Sequence, residues 1–184
     1  MVEEFRDTTA ASNFRCWYTA RWLPFHIYAS SNTPEEIRTE LSEVLLKTEF
    51  LSLRFRSCGL LTATLRCLHD AELIIQKNEQ NFLLAQTDKD GSLKNLKLRD
   101  HGFQLVAPIY ISIENILHET KQDIDSKDES FDMFSNEFKQ RTINLGTALH
   151  YLVTAFGSMG DFKKELDLLV EALRLKNLAS EKLK

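Results

Sequence analysis

Apolar residues recur along most of this chain at steps of three and four, the spacing that places side chains on one face of an α-helix. The first such stretch covers residues 13–31 and is carried mainly by aromatic side chains, with Pro24 among them. A proline inside a helix removes one backbone hydrogen bond, so the pattern predicts a helix that is kinked or divided at Pro24. The next helix has the clearest start signal in the sequence, because Thr33, Pro34 and Glu36 form a capping box with proline at the first helical position.

Three further helices are predicted in the middle of the chain. A dense apolar run at 50–55 indicates a short buried helix that ends at Gly59, since an isolated strand among helices would have no partner. Leucines at helical spacing then predict a helix from Leu61 to about Gln76. One more apolar stripe runs over 103–117 despite Pro108, which indicates a third helix.

Two antiparallel helices are predicted between residue 131 and residue 184. An apolar stripe from Phe131 to Phe156 stops at the glycine-containing turn 157–160. A second helix follows from Asp161, and its regularly spaced apolar residues are expected to point inward: Phe162, Leu166, Leu169 and Leu173. Helices joined by so short a turn must lie antiparallel.

The predicted fold class is all-α, either an antiparallel helical bundle or a short α-solenoid. With only 6 glycines and 3 prolines, the chain favours long uninterrupted elements.

The sequence Asp-Lys-Asp-Gly-Ser at 88–92 predicts a turn and lacks the later positions of a calcium loop. Residues 122–130 are acidic and nearly free of apolar side chains, which indicates a linker between a helical region at 1–121 and a helical hairpin at 131–184. The two parts could equally form one continuous helical domain.

The hairpin carries more than helical periodicity. Residues 146–177, GTALHYLVTAFGSMGDFKKELDLLVEALRLKN, resemble one tetratricopeptide repeat, in which two helices nest and successive helix pairs stack. The match lies in the large residues of the first helix, in the Met-Gly-Asp-Phe turn and in the Glu-Ala-Leu sequence that follows. The sequence departs from the repeat at Val153 and Asn177, and above all at Glu165, which puts a charge where the two helices of such a repeat pack tightest.

The resemblance implies a protein-interaction scaffold or adaptor of helical-repeat type. The first-helix residues that face the groove of such a repeat would be Thr147, His150 and Thr154, which are the predicted partner-binding residues there. They include no Lys or Arg to hold a peptide carboxylate, so a chaperone-tail clamp is disfavoured. A single repeat buries its apolar face on a neighbour, and residues 1–145 contain no second clear copy. The hairpin is therefore expected either to end an irregular helical array or to belong to a longer solenoid.

A second resemblance covers residues 14–118. The segments WLPFHIYAS and KTEFLSLRFRSCGLLTATLRCLHDAEL are similar to the helical region that follows the nucleotide-binding module in apoptosome-type NB-ARC proteins. This resemblance implies a regulatory or oligomerisation arm of a signalling ATPase, with an exposed apolar face around Trp17, Trp22 and Phe25 that self-associates. No Gly-x-x-x-x-Gly-Lys-[Ser/Thr] loop occurs in the sequence, so the ATPase itself is not expected here.

The net charge of -4 disfavours nucleic acid as a partner, because a phosphate-binding surface needs clustered cations. Arg54 and Arg56 come closest to such a cluster, and their neighbours predict a solvated face. No stretch is long and apolar enough to span a bilayer and the start of the chain is acidic, so no membrane partner and a cytoplasmic location are expected. The three cysteines should then stay reduced.

The sequence contains no recognised motif for catalysis or metal binding. None of the 5 histidines has a His or Cys partner at ligand spacing on the same helix face, and neither Gly-x-Ser-x-Gly nor His-Glu-x-x-His occurs. We therefore expect no cofactor, no metal and no enzymatic activity, with a small helical enzyme that has an unrecognised pocket as the alternative. The sequence predicts a non-catalytic protein that binds other proteins.

Overall fold

A computed structural model describes residues 2–30, 33–85, 92–125 and 136–181. Within these ranges the chain forms α-helices joined by turns and no strand, which confirms the all-α fold class. The helices are α1 (Val2–Ser30), α2 (Pro34–Leu45), α3 (Thr48–Cys58), α4 (Leu60–Ala85), α5 (Ser92–Asp125), α6 (Asn136–Ser158) and α7 (Phe162–Glu181). The helix expected to kink or divide at Pro24 is therefore not divided.

The chain splits into two compact units. Unit 1 consists of Met1–Gly59 and Asp70–Val106, and unit 2 consists of Leu60–His69 and Ala107–Lys184. The helices α4 and α5 therefore each contribute residues to both units. Residues 122–125 of the predicted linker belong to α5, and residues 126–130 lie outside the described residues. Residues 88–91 of the predicted turn also lie outside the described residues. The domain boundaries inferred from the sequence stay a prediction.

Local sequence explains where α2 begins and where α3 ends. The Thr33 hydroxyl accepts a hydrogen bond from the Glu36 backbone N–H at 3.2 Å, and the Glu36 carboxylate accepts one from the Thr33 backbone N–H at 3.1 Å. This reciprocal pair confirms the predicted capping box. After α3, Gly59 has a φ angle of +75°, a conformation that only glycine adopts without steric cost. Phe50, Leu51 and Phe55 are buried, which confirms the short buried helix.

Arg54 is buried in unit 1, with 1% of its surface exposed, so the expected solvated face is wrong for this residue, whereas Arg56 is exposed. The Arg54 Nε donates to the backbone carbonyl of Ala20 in α1 at 2.8 Å, and its Nη1 donates to the Asp70 carboxylate in α4 at 2.6 Å. Ala20 lies four residues before Pro24, whose missing N–H would otherwise bond that carbonyl. Arg54 therefore replaces the donor that Pro24 lacks and links α1, α3 and α4.

In unit 2, the end of α5 packs with α6 and α7. The Tyr110 ring on α5 makes an edge-to-face contact with the Phe156 ring on α6, with 6.1 Å between ring centroids. The turn after α6 contains Gly160 with a φ angle of +81°, and the Asp161 carboxylate then caps α7 by accepting the Lys164 backbone N–H at 3.2 Å. The two predicted helices and the turn between them are confirmed from residue 136 onward, and residues 131–135 of the first predicted helix lie outside the described residues.

Candidate functional site

The helices α6 and α7 form a hairpin that approaches most closely at two glycines. A Cβ atom placed on Gly146 would lie 3.2 Å from the carbonyl oxygen of Ala172, and one placed on Gly157 would lie 2.8 Å from the Glu165 carboxylate. The early part of α6 thus meets the late part of α7 and the reverse, so the helices are antiparallel, as predicted. Glu165, the residue that departs most from the repeat pattern, places its carboxylate beside Gly157.

The helix α7 has two apolar faces, and only one of them is buried. The buried face consists of Leu168, Ala172, Leu175 and Ala179, of which Ala172 and Leu175 lie beside Gly146 of α6. The other face holds Phe162, Leu166, Val170 and Leu173, which are 72%, 60%, 59% and 52% exposed. We call these four residues the α7 stripe. Leu169 borders the stripe and is half-buried.

The prediction that Phe162, Leu166 and Leu173 point inward is wrong. Both faces of α7 repeat at helical spacing, and the spacing does not tell which face has a neighbour. The close approach at Gly146 requires small residues on the opposing helix, so the face with Ala172 and Ala179 is the one that packs. These two alanines are the signal in the sequence that could have identified the buried face.

A third side of α7 is bound to α5 by ion pairs. The Glu171 carboxylate accepts hydrogen bonds from Arg174 at 2.8 Å and lies 3.2 Å from Lys121 Nζ, and Arg174 also reaches Asp125 at 3.2 Å. Burial alone would raise the pKa of Glu171, but the hydrogen bonds and charges of Arg174 and Lys121 outweigh it and lower that pKa. The hydrogen bond to Glu171 is the main reason that the pKa of Arg174 is raised.

Between α5 and α7 lies a cleft of about 690 Å³. Its walls mix apolar residues such as Leu117 with charged ones, and Lys164 Nζ pairs with the Glu114 carboxylate there at 2.6 Å. The same Lys164 Nζ lies 4.7 Å from the centroid of the Phe156 ring, a cation–π contact. Lys121, which also lines the cleft, is paired with Glu171, whereas Asp167 lines the cleft without a salt bridge to a described residue.

The predicted groove residues Thr147, His150 and Thr154 lie on one face of α6. His150 and Thr154 are exposed and Thr147 is half-buried, with its hydroxyl donating to the Ile143 carbonyl at 2.8 Å. Tyr151 is also exposed on this helix. The structure thus brings the three predicted residues together, and their part in partner binding stays a prediction.

The other two predicted partner-binding residues, Trp22 and Phe25, lie on α1 in unit 1. Phe25 is 56% exposed and makes an edge-to-face contact with the half-buried Trp22, with 6.1 Å between ring centroids. The Arg21 guanidinium carbon lies 5.6 Å from the Trp22 ring centroid, and the Tyr18 hydroxyl lies 2.8 Å from His26 Nε2. Trp, Tyr and Arg are the residue types enriched at the energetic centres of protein interfaces. We call this surface the α1 aromatic patch.

Among the described residues, no group of three or more His, Cys, Asp or Glu side chains is arranged to hold a metal ion. No helix within those ranges combines the length and the apolar character needed to cross a membrane. No protein-family model, curated protein or solved structure matches this chain. Inference about its function therefore begins from the surfaces of its helices.

Proposed function

We propose that this chain is a non-catalytic protein-interaction scaffold of helical-repeat type, with α6 and α7 acting as a tetratricopeptide-like hairpin at the end of a short α-solenoid. The observation that carries the proposal is the α7 stripe. Fully burying one side chain of this kind is worth roughly 1.5–3 kcal/mol, so leaving several of them in water forgoes a large stabilisation. Contiguous exposed apolar residues of this kind mark surfaces that bind another protein.

The division of α7 into two apolar faces supports the helical-repeat form of the proposal. In stacked repeats, the second helix of each hairpin packs inside its own repeat on one face and against a neighbour on another. In this chain the face with Ala172 and Leu175 packs on α6, and the α7 stripe remains for a neighbour. The close approach at Gly146 supplies the nesting of helices that such a repeat needs.

A second candidate function is a regulatory or oligomerisation arm of a larger signalling ATPase. The α1 aromatic patch favours it, because Phe25 and Tyr18 are exposed beside Trp22. In this case the binding energy would come mainly from α1, and α7 would contribute little.

The two candidates are separated by affinity capture from a native lysate with the purified chain as bait. Three variants each remove one surface: Leu166→Glu/Val170→Glu for the α7 stripe, His150→Ala/Thr154→Arg for α6, and Trp22→Ala/Phe25→Ala for the α1 aromatic patch. Leu65→Glu, at an exposed leucine of α4, is the matched control for adding a charge to an apolar surface position. Far-UV circular dichroism verifies that each variant keeps its helix content.

The scaffold proposal expects the α7 variant to lose a reproducible partner that the wild type and the Leu65 variant retain. Additional loss by the α6 variant would extend the binding surface to His150 and Thr154. Loss by the α1 variant alone would replace the scaffold with the regulatory arm. A capture profile that is the same for every version would contradict both candidates.

A further inference from the structure

We infer that the α7 stripe is covered by a second copy of this chain, which packs α7 against α7 in antiparallel orientation about a two-fold axis. The inference rests on the proposed function, because it names the partner of the same surface. It comes from the charges that border the stripe on both sides.

On one side of the stripe lie Glu165 and Lys176, and on the other side lie Asp167 and Arg174, as the 3.6-residue turn of the helix places them. The acid and the base of each pair cannot reach each other within one helix, because at 1.5 Å per residue they stand about 16 Å and about 10 Å apart. In the described part of the chain, Glu165, Asp167 and Lys176 form no salt bridge.

Arg174 is the one member of this set that already has partners, Glu171 and Asp125. Its side chain nevertheless remains 44% exposed. A guanidinium group has five N–H donors in a planar fork, so Arg174 can hold these acids and still donate to a carboxylate of another chain.

Both charge pairs are centred on the same point of the helix, between Val170 and Glu171. A two-fold axis that passes beside α7 at the level of this point, perpendicular to the helix, brings Glu165 opposite Lys176 of the second copy and Asp167 opposite Arg174 of the second copy. Because the contact is symmetric, each attraction occurs twice. Moving the axis two residues towards the start of α7 would instead place Lys163 opposite Arg174, a repulsive pair.

The apolar residues are compatible with the same axis. The midpoint between Leu166 and Leu173 lies one residue from the axis. Leu166 therefore packs beside Leu173 of the second copy rather than directly against it, as side chains do when helices interdigitate. Phe162, the most exposed member of the stripe, comes to lie at the level of residue 179 of the second copy, one residue from the exposed Ser180, whose small side chain leaves room for the ring.

Other occupants would not account for this arrangement of charges. A helix from a different protein would need the apolar stripe, but it would not require the charges of α7 to complement one another. Parallel packing of two copies about a two-fold axis would put Glu165 beside Asp167 and Lys176 beside Arg174, so that like charges would face each other. Only the antiparallel pair uses the stripe and both bordering sets of charges together.

The test is sedimentation equilibrium of the full chain at low salt over a concentration series. The wild type is expected to reach twice its 21.3 kDa mass. Glu165→Lys and Lys176→Glu each set like charges opposite at two symmetric places, so each alone should weaken the dimer by about tenfold in Kd. An equimolar mixture of the two variants restores opposite charges at both places, and its Kd should return close to that of the wild type.

Loss of the dimer has to be distinguished from loss of the fold. A lysine at 165 would lie in the first turn of α7, which disfavours a cation, and near the C-terminal end of α6, which favours one; because the two effects oppose each other, Glu165→Lys should keep the hairpin folded. Glu119→Lys makes the same charge change at an exposed position of α5 and should leave the dimer unchanged. Leu166→Glu should be monomeric with its helix content intact.

The inference is overturned if the wild type is monomeric throughout the series, or if the mixture dimerises no better than either variant alone. In both cases, loss of a lysate partner by the Leu166→Glu/Val170→Glu variant would still support the scaffold, with a different protein on the stripe. A monomeric wild type together with an unchanged capture profile would contradict the scaffold as well.

Discussion

At the scale of single residues, Arg54 carries a large share of the stability of unit 1. We expect Arg54→Met to lower the free energy of unfolding by about 3–5 kcal/mol, because it removes a charged partner from the buried Asp70 carboxylate and the donor that replaces the Pro24 N–H. The measurement is urea unfolding followed by circular dichroism. Arg56→Met, the same change at an exposed position of the same helix, is the matched control and should cost less than about 0.5 kcal/mol. Equal losses for the two variants would contradict the assignment.

Glu171 makes the stability of unit 2 depend on pH in the acid range. Its pKa in the folded chain lies below the value of about 4.3 found in unfolded peptides, so its stabilising effect is complete above that value and is lost as the pH falls through the folded pKa. Glu171→Gln should therefore be less stable than the wild type near neutral pH, by about 1 kcal/mol at most for partly exposed pairs. The difference should vanish once the pH lies below the lowered pKa of Glu171 in the folded chain.

Urea unfolding of both proteins at a series of pH values measures this difference. Glu119→Gln, at an exposed glutamate without a recorded ion pair among the described residues, should track the wild type at every pH. A Glu171→Gln deficit that persists in acid would mean that the variant disturbs packing rather than charge.

At the scale of elements, α1 stays one helix through Pro24 because α3 supplies a donor to it. Pro24→Ala restores the N–H that bonds the Ala20 carbonyl within the helix. In that background, Arg54→Met should cost about 0.5–1.5 kcal/mol less than in the wild type, the net worth of one hydrogen bond. A double-mutant cycle of unfolding free energies measures this coupling, and strictly additive effects would refute it.

The two glycines of α6 should respond oppositely to larger side chains. A side chain at Gly146 would press on the Ala172 backbone, so Gly146→Leu should destabilise the hairpin by about 1–3 kcal/mol. A methyl group at Gly157 meets only the movable end of Glu165, and alanine is a better helix former, so Gly157→Ala should gain up to about 1 kcal/mol. Thermal unfolding of both variants gives the signs, and a stabilised Gly146→Leu would contradict the close approach of α6 and α7.

Elements that depend on neighbouring residues in sequence could be predicted, whereas those that depend on distant residues could not. The start of α2 is set by Thr33 and Glu36, and the end of α3 by Gly59, so local chemistry was sufficient for both. Arg54 was misassigned as solvated because its partners Ala20 and Asp70 are remote in sequence. For the same reason, helical spacing indicated an apolar face with Phe162, Leu166 and Leu173 but did not tell that α6 covers a different face of α7.

At the scale of the whole molecule, one of the exposed surfaces could be located from the sequence and another could not. The sequence placed Thr147, His150 and Thr154 on one exposed helix face, since a fixed helical period determines which residues share a face. It missed the α7 stripe, which became visible only when the packing of α7 on α6 and α5 was known. A surface that awaits a partner looks like a core face in a sequence, because both are apolar stripes of the same period.

Dimerisation through the α7 stripe makes the stability of the whole molecule depend on its concentration. A second copy that binds the native but not the unfolded chain shifts unfolding by mass action, so the thermal midpoint should rise as concentration increases above the dimer Kd. Differential scanning calorimetry of the wild type over a concentration series measures the rise. Leu166→Glu, which cannot pair, should unfold at one temperature at every concentration, because unfolding of a monomer is independent of concentration. A wild-type midpoint as constant as that of the variant would show that the stripe does not hold a second copy.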